Sequence, residues 1–318
     1  MSHEIESIAW TGEKPWHGLG VEVSGDLTPQ EILVAAGLDW EVRKYSTFAR
    51  VGDKQVSTGK KALIRLSDNK VLSSDVGPNW EPIQNIEAFE FFDEFVDSNS
   101  MTMETAGSLK GGKIVWGLAK VGEAFELFGG DTVESYLLFS NSHQYGRTTV
   151  IDHTAVRVVC NNTLTEALSQ KGSNRVTLSH RAKFDPEEAK ELLGLAHMKL
   201  DNYREAAEFL GSKRASEEDV VEFMNALWPV KGEDAKKQIS LPAKKALEAV
   251  TNQPGAQFAE GSWWQAFNAA TYTTDHILSR DAETRLFQTW FGYHRDTKEQ
   301  ALKLAQKMAN KSADMVTV

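Results

Sequence analysis

Apolar and polar residues alternate with a period of two through much of the first 160 positions and with a period near 3.6 beyond residue 185. Alternation over residues 40–51 and 61–65 predicts strands, and Asp68-Asn69, set between 61–66 and 70–73, has the composition of a hairpin turn. Further strands are expected over 103–109 and 114–121, joined by Lys110-Gly111-Gly112-Lys113, and over 133–140, 147–152 and 155–160. Two helical patterns interrupt the strands. Thr28-Pro29-Gln30-Glu31 is a capping box with proline at the first helical position, and Gly37 closes the helix over 29–36. Asn85 is expected to cap a second helix reaching Val96. Its Ile86, Phe89, Phe92 and Val96 recur at helical spacing beside Phe91 and Phe95, and that wide aromatic face reads as core.

Arg157 to Leu164 packs unlike instructions into eight residues. Arg157 to Cys160 is rich in β-branched residues and alternates like a strand, Asn161-Asn162 breaks the pattern, and Thr163 with Glu166 forms a capping box. The predicted result is a strand driven into a helix. From Asp185 the signals are helical. Asp185-Pro186-Glu187-Glu188 begins a long amphipathic helix carrying Leu192, Leu195, Ala196, Tyr203 and Leu210, which Gly211 is expected to stop. Ser216 caps a helix ending at Trp228-Pro229, and further helices are expected over 242–250, 263–278, 282–293 and 298–309, with a Ser262…Gln265 box opening the second of these. The order defines an α+β protein: an antiparallel β-meander with flanking helices, followed by an all-helical C-terminal region. Strands and helices do not alternate as a doubly wound nucleotide-binding sheet requires. The organisation expected is an extended arm over 1–25, an α+β core over 26–183 and a helical region over 184–318.

Composition narrows the function. The 318 residues are 41% hydrophobic and 25% charged, an ordinary globular balance with room for a sizeable core. No apolar run approaches 18 residues and no basic-then-apolar leader opens the chain, so no membrane association is expected. A single cysteine forms no internal disulfide and points to the cytoplasm. The net charge is −10, unevenly spread: residues 1–100 carry nine basic and 17 acidic groups, and residues 101–318 carry 26 and 28. Within 171–183, Lys171, Arg175, Arg181 and Lys183 stand with no acid among them.

Catalytic constellations do not assemble. Cys160 with His153 has the residue types of a thiol nucleophile and its base, but on one strand the two face opposite sides about 23 Å apart. Cys160 therefore reads as a small buried residue. The eight histidines show no His-x-x-x-His pair, Asp152-His153 points to opposite faces of a strand, and Asp93-Glu94-Asp97 reads as solvated surface, so neither a metal nor another cofactor is expected. Gly111-Gly112 lacks phosphate-loop spacing, and Gly18-Leu19-Gly20 precedes no strand–helix unit. Trp263-Trp264 reads as packing.

Three blocks carry a family resemblance: Pro15-Trp16-His17-Gly18-Leu19-Gly20 followed by Ala36-Gly37-Leu38-Asp39-Trp40, then Arg157 to Leu164, then Ser179-His180-Arg181. Together they resemble the phage/plasmid-like protein family, whose shared domain is labelled domain of unknown function 932. The resemblance implies a gene carried by phages, prophages and plasmids and brings no catalytic residues. The gross order, helix before a β-meander and helix after it, is similar to that of phage recombination mediators of the single-strand annealing class. That similarity implies a non-enzymatic protein that binds single-stranded DNA as a homo-oligomer, assembled through the aromatic arm (Trp16-His17) or the helical tail. The backbone-capturing cations expected for it are Lys110, Lys113, Arg147, Arg157, Arg175 and Arg181. Two other classes stay open. One is an interaction module, a host-defence antagonist or replication accessory, whose acidic first 100 residues meet a basic partner. The other is a hydrolase with an unassigned site.

Overall fold

Period-two segments become sheet and period-3.6 segments become helix, giving the expected α+β architecture with a helical C-terminal region. The computed structural model describes residues 5–12, 20–23, 26–93, 96, 101–122, 124–157, 162–165, 176–180, 202–230, 238–278 and 282–316. The chain divides into two units. The first comprises Met1–Gly122, Tyr136–Asp152 and Arg175–Leu193; the second comprises Glu123–Ser135, His153–Asn174 and Gly194–Val318. The break expected near residue 183 lies outside the described residues.

In the first unit, β1 (Ile5–Trp10), β6 (Met101–Leu109), β7 (Ile114–Val121) and the end of β9 (Asp131–Ser142) pair antiparallel in the order β9-β7-β6-β1, and β2 (Val21–Glu22) adds a short parallel strand beside β1. The start of β10 (Thr149–Arg157) pairs with β12 (Val176–Leu178). A separate antiparallel sheet holds β3 (Val42–Val51), β4 (Lys54–Arg65) and β5 (Lys70–Val76), with the Asp68-Asn69 turn where it was expected and Asn69 at φ +58°. Within the stretch read as an arm, Ile5–Trp10 is thus a strand and Trp10 is buried. Trp16-His17 lies outside the described residues.

The helix α1 (Pro29–Ala35) starts as its sequence dictates: Thr28 Oγ1 accepts from Glu31 N, and Glu31 returns a bond to Thr28 N. The helix α2 (Asn85–Glu90) is shorter than expected and is capped differently. Its N-cap is Gln84, whose side chain accepts from Val42 N and donates to Val42 O, both at 2.9 Å. Asn85 turns into the core instead, donating to Leu38 O at 2.9 Å. Ile86 is 52% exposed; Phe89, Phe91 and Phe92 carry the burial, the last two against Phe139. Gly117 of β7 makes room for them, since a methyl there would stand 3.2 Å from the Phe89 ring.

Within the predicted strand-to-helix junction, residues 162–164 lie in a strand instead of opening a helix. Asn162–Thr165 forms β11 and pairs antiparallel with β10, Arg157 opposite Asn162. Ladder hydrogen bonds from a strand already in place outweigh the roughly 1 kcal/mol that a local cap offers. Residues 155–157 of the strand expected over 155–160 are the end of β10, and 158–160, Cys160 among them, lie outside the described residues.

The second unit is mostly helical: α3 (202–212), α4 (Glu217–Leu227), α5 (Leu241–Asn252), α6 (Trp263–Tyr272), α7 (Ala282–Phe291) and α8 (Tyr293–Val316), with the short β8 (Phe125–Leu127) pairing with the start of β9. Ser216 and Ser262 cap as expected, and α6 runs into a π-helical turn, Thr273–Ile277. Trp263 and Trp264 are core: the first meets Phe223 edge-on, and the second donates from Nε1 to the buried Asp131 at 3.0 Å. Lys298 of α8 is fully buried against Asp275 of the π turn, Nζ to Oδ1 3.0 Å, and burial lowers its pKa. Among the described residues, no helix is long and apolar enough to cross a membrane.

Gly211 does not stop α3 but lies within it. A Cβ built there would sit 2.1 Å from Cζ of Phe128. Gly211→Ala is accordingly expected to destabilise the helical unit by about 1–3 kcal/mol, overpacking outweighing the ~1 kcal/mol gained in helix propensity. Urea unfolding of the variant checks this; a midpoint at or above the parent's would contradict it.

Candidate nucleic-acid interface

The three-stranded sheet has a buried root and an exposed tip. At the root, Val42 of β3 and Leu63 of β4 are buried with Leu72, Val76 and Trp80. Arg65 fixes the root to β1. Its guanidinium donates twice to Glu6 (2.7 and 2.8 Å) and twice to Asp68 (2.9 and 2.6 Å), and it lies 5.1 Å from the Trp40 ring centre. Those bonds hold the Glu6 carboxyl below its ordinary range and pull Asp68 down to about 2. Beyond the root, from Arg43 to Lys61, no side chain is buried. Two strands continue there as a ribbon turned by Gly52 (φ +59°) and Asp53. Cross-strand pairs hold it: Ala49 opposite Val56, Phe48 opposite Ser57, and Thr47 hydrogen-bonded to Thr58. A register shift between Ser46 and Phe48 bulges the ribbon, and Gly59 sits in this bulge at φ +69°.

Charge separates sharply along this segment. Residues 43–61 hold six cations, Arg43, Lys44, Arg50, Lys54, Lys60 and Lys61, and one acid, Asp53. Arg43 meets Glu41 at 3.0 Å and Arg50 meets Asp53 at 3.9 Å, both solvent-exposed pairs that bind their partners weakly; Lys44 pairs with Glu81 at 2.5 Å. Lys54, Lys60 and Lys61 have no acid within ion-pair distance among the described residues. Between the cations stand exposed Tyr45, Phe48 (56% exposed), Val51 and Val56. Strand alternation puts Lys44, Ser46, Phe48 and Arg50 on one face of β3 and Arg43, Tyr45, Ala49 and Val51 on the other, at about 6.6 Å between successive same-face positions. Cations bracketing an aromatic face at that spacing can hold phosphates while a base stacks.

Of the six cations singled out from sequence, Lys110 and Lys113 flank the turn from β6 to β7, and Arg147 lies in the loop from β9 to β10. Lys113 and Arg147 come to the same end of the sheet, where His143 N donates to Lys113 O at 2.8 Å. All three side chains are half-buried. Arg157 closes β10 at that strand's other end, in the second unit. Arg175 and Arg181 lie outside the described residues. The Gly111-Gly112 turn holds both residues in the left-handed region, at φ +67° and +84°, which favours glycine. Sequence reading missed the ribbon cations. The signal was present, since six of the nine basic residues in the first 100 fall within 19 positions.

Behind the sheet root lies a buried polar network. His143 Nε2 bonds Asn85 Oδ1 at 2.9 Å; because Asn85 Nδ2 donates to Leu38 O, that oxygen accepts and the imidazole donates. His180 Nδ1 bonds Glu81 O at 3.2 Å, so it too is the protonated nitrogen. The other nitrogen of each ring is a buried lone pair without a hydrogen-bond partner among the described residues. Burial pushes His143 down to about 3, helped by the neighbouring His180, and pushes His180 down to about 4. Trp40 meets the first ring, and Trp80 stacks on the second at 4.1 Å. Among the described residues, no three His, Cys, Asp or Glu side chains gather where they could share a metal ion.

The family model described as Domain of unknown function (DUF932) matches residues 72–309. The chain belongs to this family. The DUF932 match begins inside β5, at residue 72, and takes in the strands on to β12 and the described helices from α2 onward, with α8 matched to residue 309; the ribbon precedes it. No curated protein and no solved structure matches the chain.

Proposed function

We propose that the protein binds single-stranded nucleic acid without catalysing a reaction, in the manner of a strand-annealing or recombination accessory protein. The observation that carries this reading is the ribbon: six cations against one acid, interleaved with exposed aromatic and aliphatic side chains, on a chain of net charge −10. An acidic protein gains nothing for its fold by concentrating cations on a projection with no core. A phosphate backbone does gain from it, because each neutralised phosphate releases counterions. Tyr45 and Phe48 favour single strands, since a base must leave its pair to lie on an aromatic face. Lys113 and Arg147, at one end of the first unit's sheet, add cations to the same proposal. The gross order of elements, similar to that of single-strand annealing proteins, makes strand annealing the proposed setting, with self-association as its expected companion.

Fluorescence anisotropy of a labelled dT strand tests the reading. With four to six phosphates engaged, log K is expected to fall against log salt with a slope of about −3 to −4. No anisotropy change at micromolar protein and about 50 mM salt would reject single-strand binding. Binding to a basic protein partner, with none to the oligonucleotide, would favour the interaction module instead.

A further inference from the structure

We propose that Tyr145 and Lys60 form a further nucleobase-stacking subsite that strengthens the interface's preference for unpaired strands, an inference that rests on the nucleic-acid reading above. Tyr145 lies in the loop joining β9 to β10, and its ring is 59% exposed. The loop is held in place. Tyr145 N donates to Ser73 Oγ at 3.3 Å, His143 N donates to Lys113 O, and Gly146 turns the chain at φ +80°. The ring is therefore a platform on a fixed backbone. Lys60 comes from the ribbon bulge, beside Gly59, and its ammonium stands 6.0 Å from the Tyr145 ring centre. That is the outer reach of a cation–π contact, weak at an exposed site. Stacking a base on the same face is worth on the order of tenfold or more in affinity, so a base displaces the ammonium. The released Lys60 then stands one side-chain length from the phosphate of the stacked nucleotide. A duplex offers no free base face, so it engages the cations alone.

The test compares a dT strand with an abasic strand of equal length, which keeps the phosphates and lacks the bases. The parent protein is expected to prefer dT by about tenfold or more, and Tyr145→Ala to cut that ratio severalfold with the salt slope unchanged. Tyr145→Phe keeps the ratio. Lys60→Gln weakens both strands alike and makes the slope shallower by about 0.7. Thermal melts matching the parent's establish that these exposed substitutions leave the fold intact. A dT-to-abasic ratio that survives in Tyr145→Ala overturns the subsite while leaving strand binding in place. Parent protein that binds neither strand removes the nucleic-acid reading and the subsite with it.

Discussion

The triple variant Lys54→Glu/Lys60→Glu/Lys61→Glu is expected to bind a dT strand about 100-fold more weakly than the parent at roughly 0.1 M salt, with its melting temperature unchanged. The magnitude follows from counterion release. Each lost phosphate contact removes about 0.7 from the salt slope, so three contacts remove about two powers of ten at that concentration. The fold tolerates the change because Lys54 and Lys60 are exposed, Lys61 is half-buried, and among the described residues the one hydrogen bond that a side chain of the three donates runs from Lys61 Nζ to Ser46 Oγ at 3.0 Å. Lys303, Lys307 and Lys311 provide the control: three exposed lysines at helical spacing on α8, altering net charge by the same amount when reversed. Equal losses from both triple variants would mean that total charge, not the ribbon, governs binding. A ribbon variant within threefold of the parent would sink the interface.

Mild acid is expected to destabilise the first unit before its carboxylates protonate. His143 and His180 are neutral in the folded protein, with pKa values depressed to about 3 and about 4 by burial, against an ordinary value near 6.5 when the chain unfolds. A depressed histidine contributes its full stability above pH ~6.5, and the contribution is lost as pH falls toward the folded pKa, because only the unfolded chain takes up the proton. At pH 5 the loss is about 2 kcal/mol per histidine, roughly 4 kcal/mol for the pair. That is a large share of the ~5–15 kcal/mol that usually holds a domain together. Urea unfolding at pH 7.5 and pH 5, followed by tryptophan fluorescence, reads the difference directly, since Trp40 and Trp80 lie against the two rings. His180→Phe keeps the stacking on Trp80 and removes one titrating group, so it is expected to halve the pH dependence. An unaltered dependence would show that the histidines are not its source.

Local signals were legible in the sequence wherever the physics is local. The Thr28…Glu31 and Ser216…Asp219 boxes cap the helices they announce because every bond in a capping box lies within four residues. Signals failed where a distant partner overrode them. Asn85 has the chemistry of a cap, but Leu38 and His143, 47 and 58 residues away, claim its side chain. Thr163 with Glu166 announces a helix, yet β10 recruits the segment as a strand. Gly211 looks like a helix terminator, and only Phe128, far away in sequence, explains why a glycine stands inside α3. The first half of β4 escaped notice for another reason. Neither face of the ribbon is buried, so Lys54 to Lys60 shows no clear hydrophobic alternation to read. Over the first 100 residues the 17 acids outnumber the nine basic groups, so the net charge of that stretch conceals the basic segment within it.

A projection that contributes nothing to the core answers only to whatever it touches. From Arg43 to Lys61 the chain can be lengthened, shortened or recharged at little thermodynamic expense to the body beneath it. Natural variation is thereby free to alter length and charge there while leaving the scaffold alone, and a designer inherits the same freedom: a hairpin graft at this place changes the exposed surface without reopening how the molecule folds.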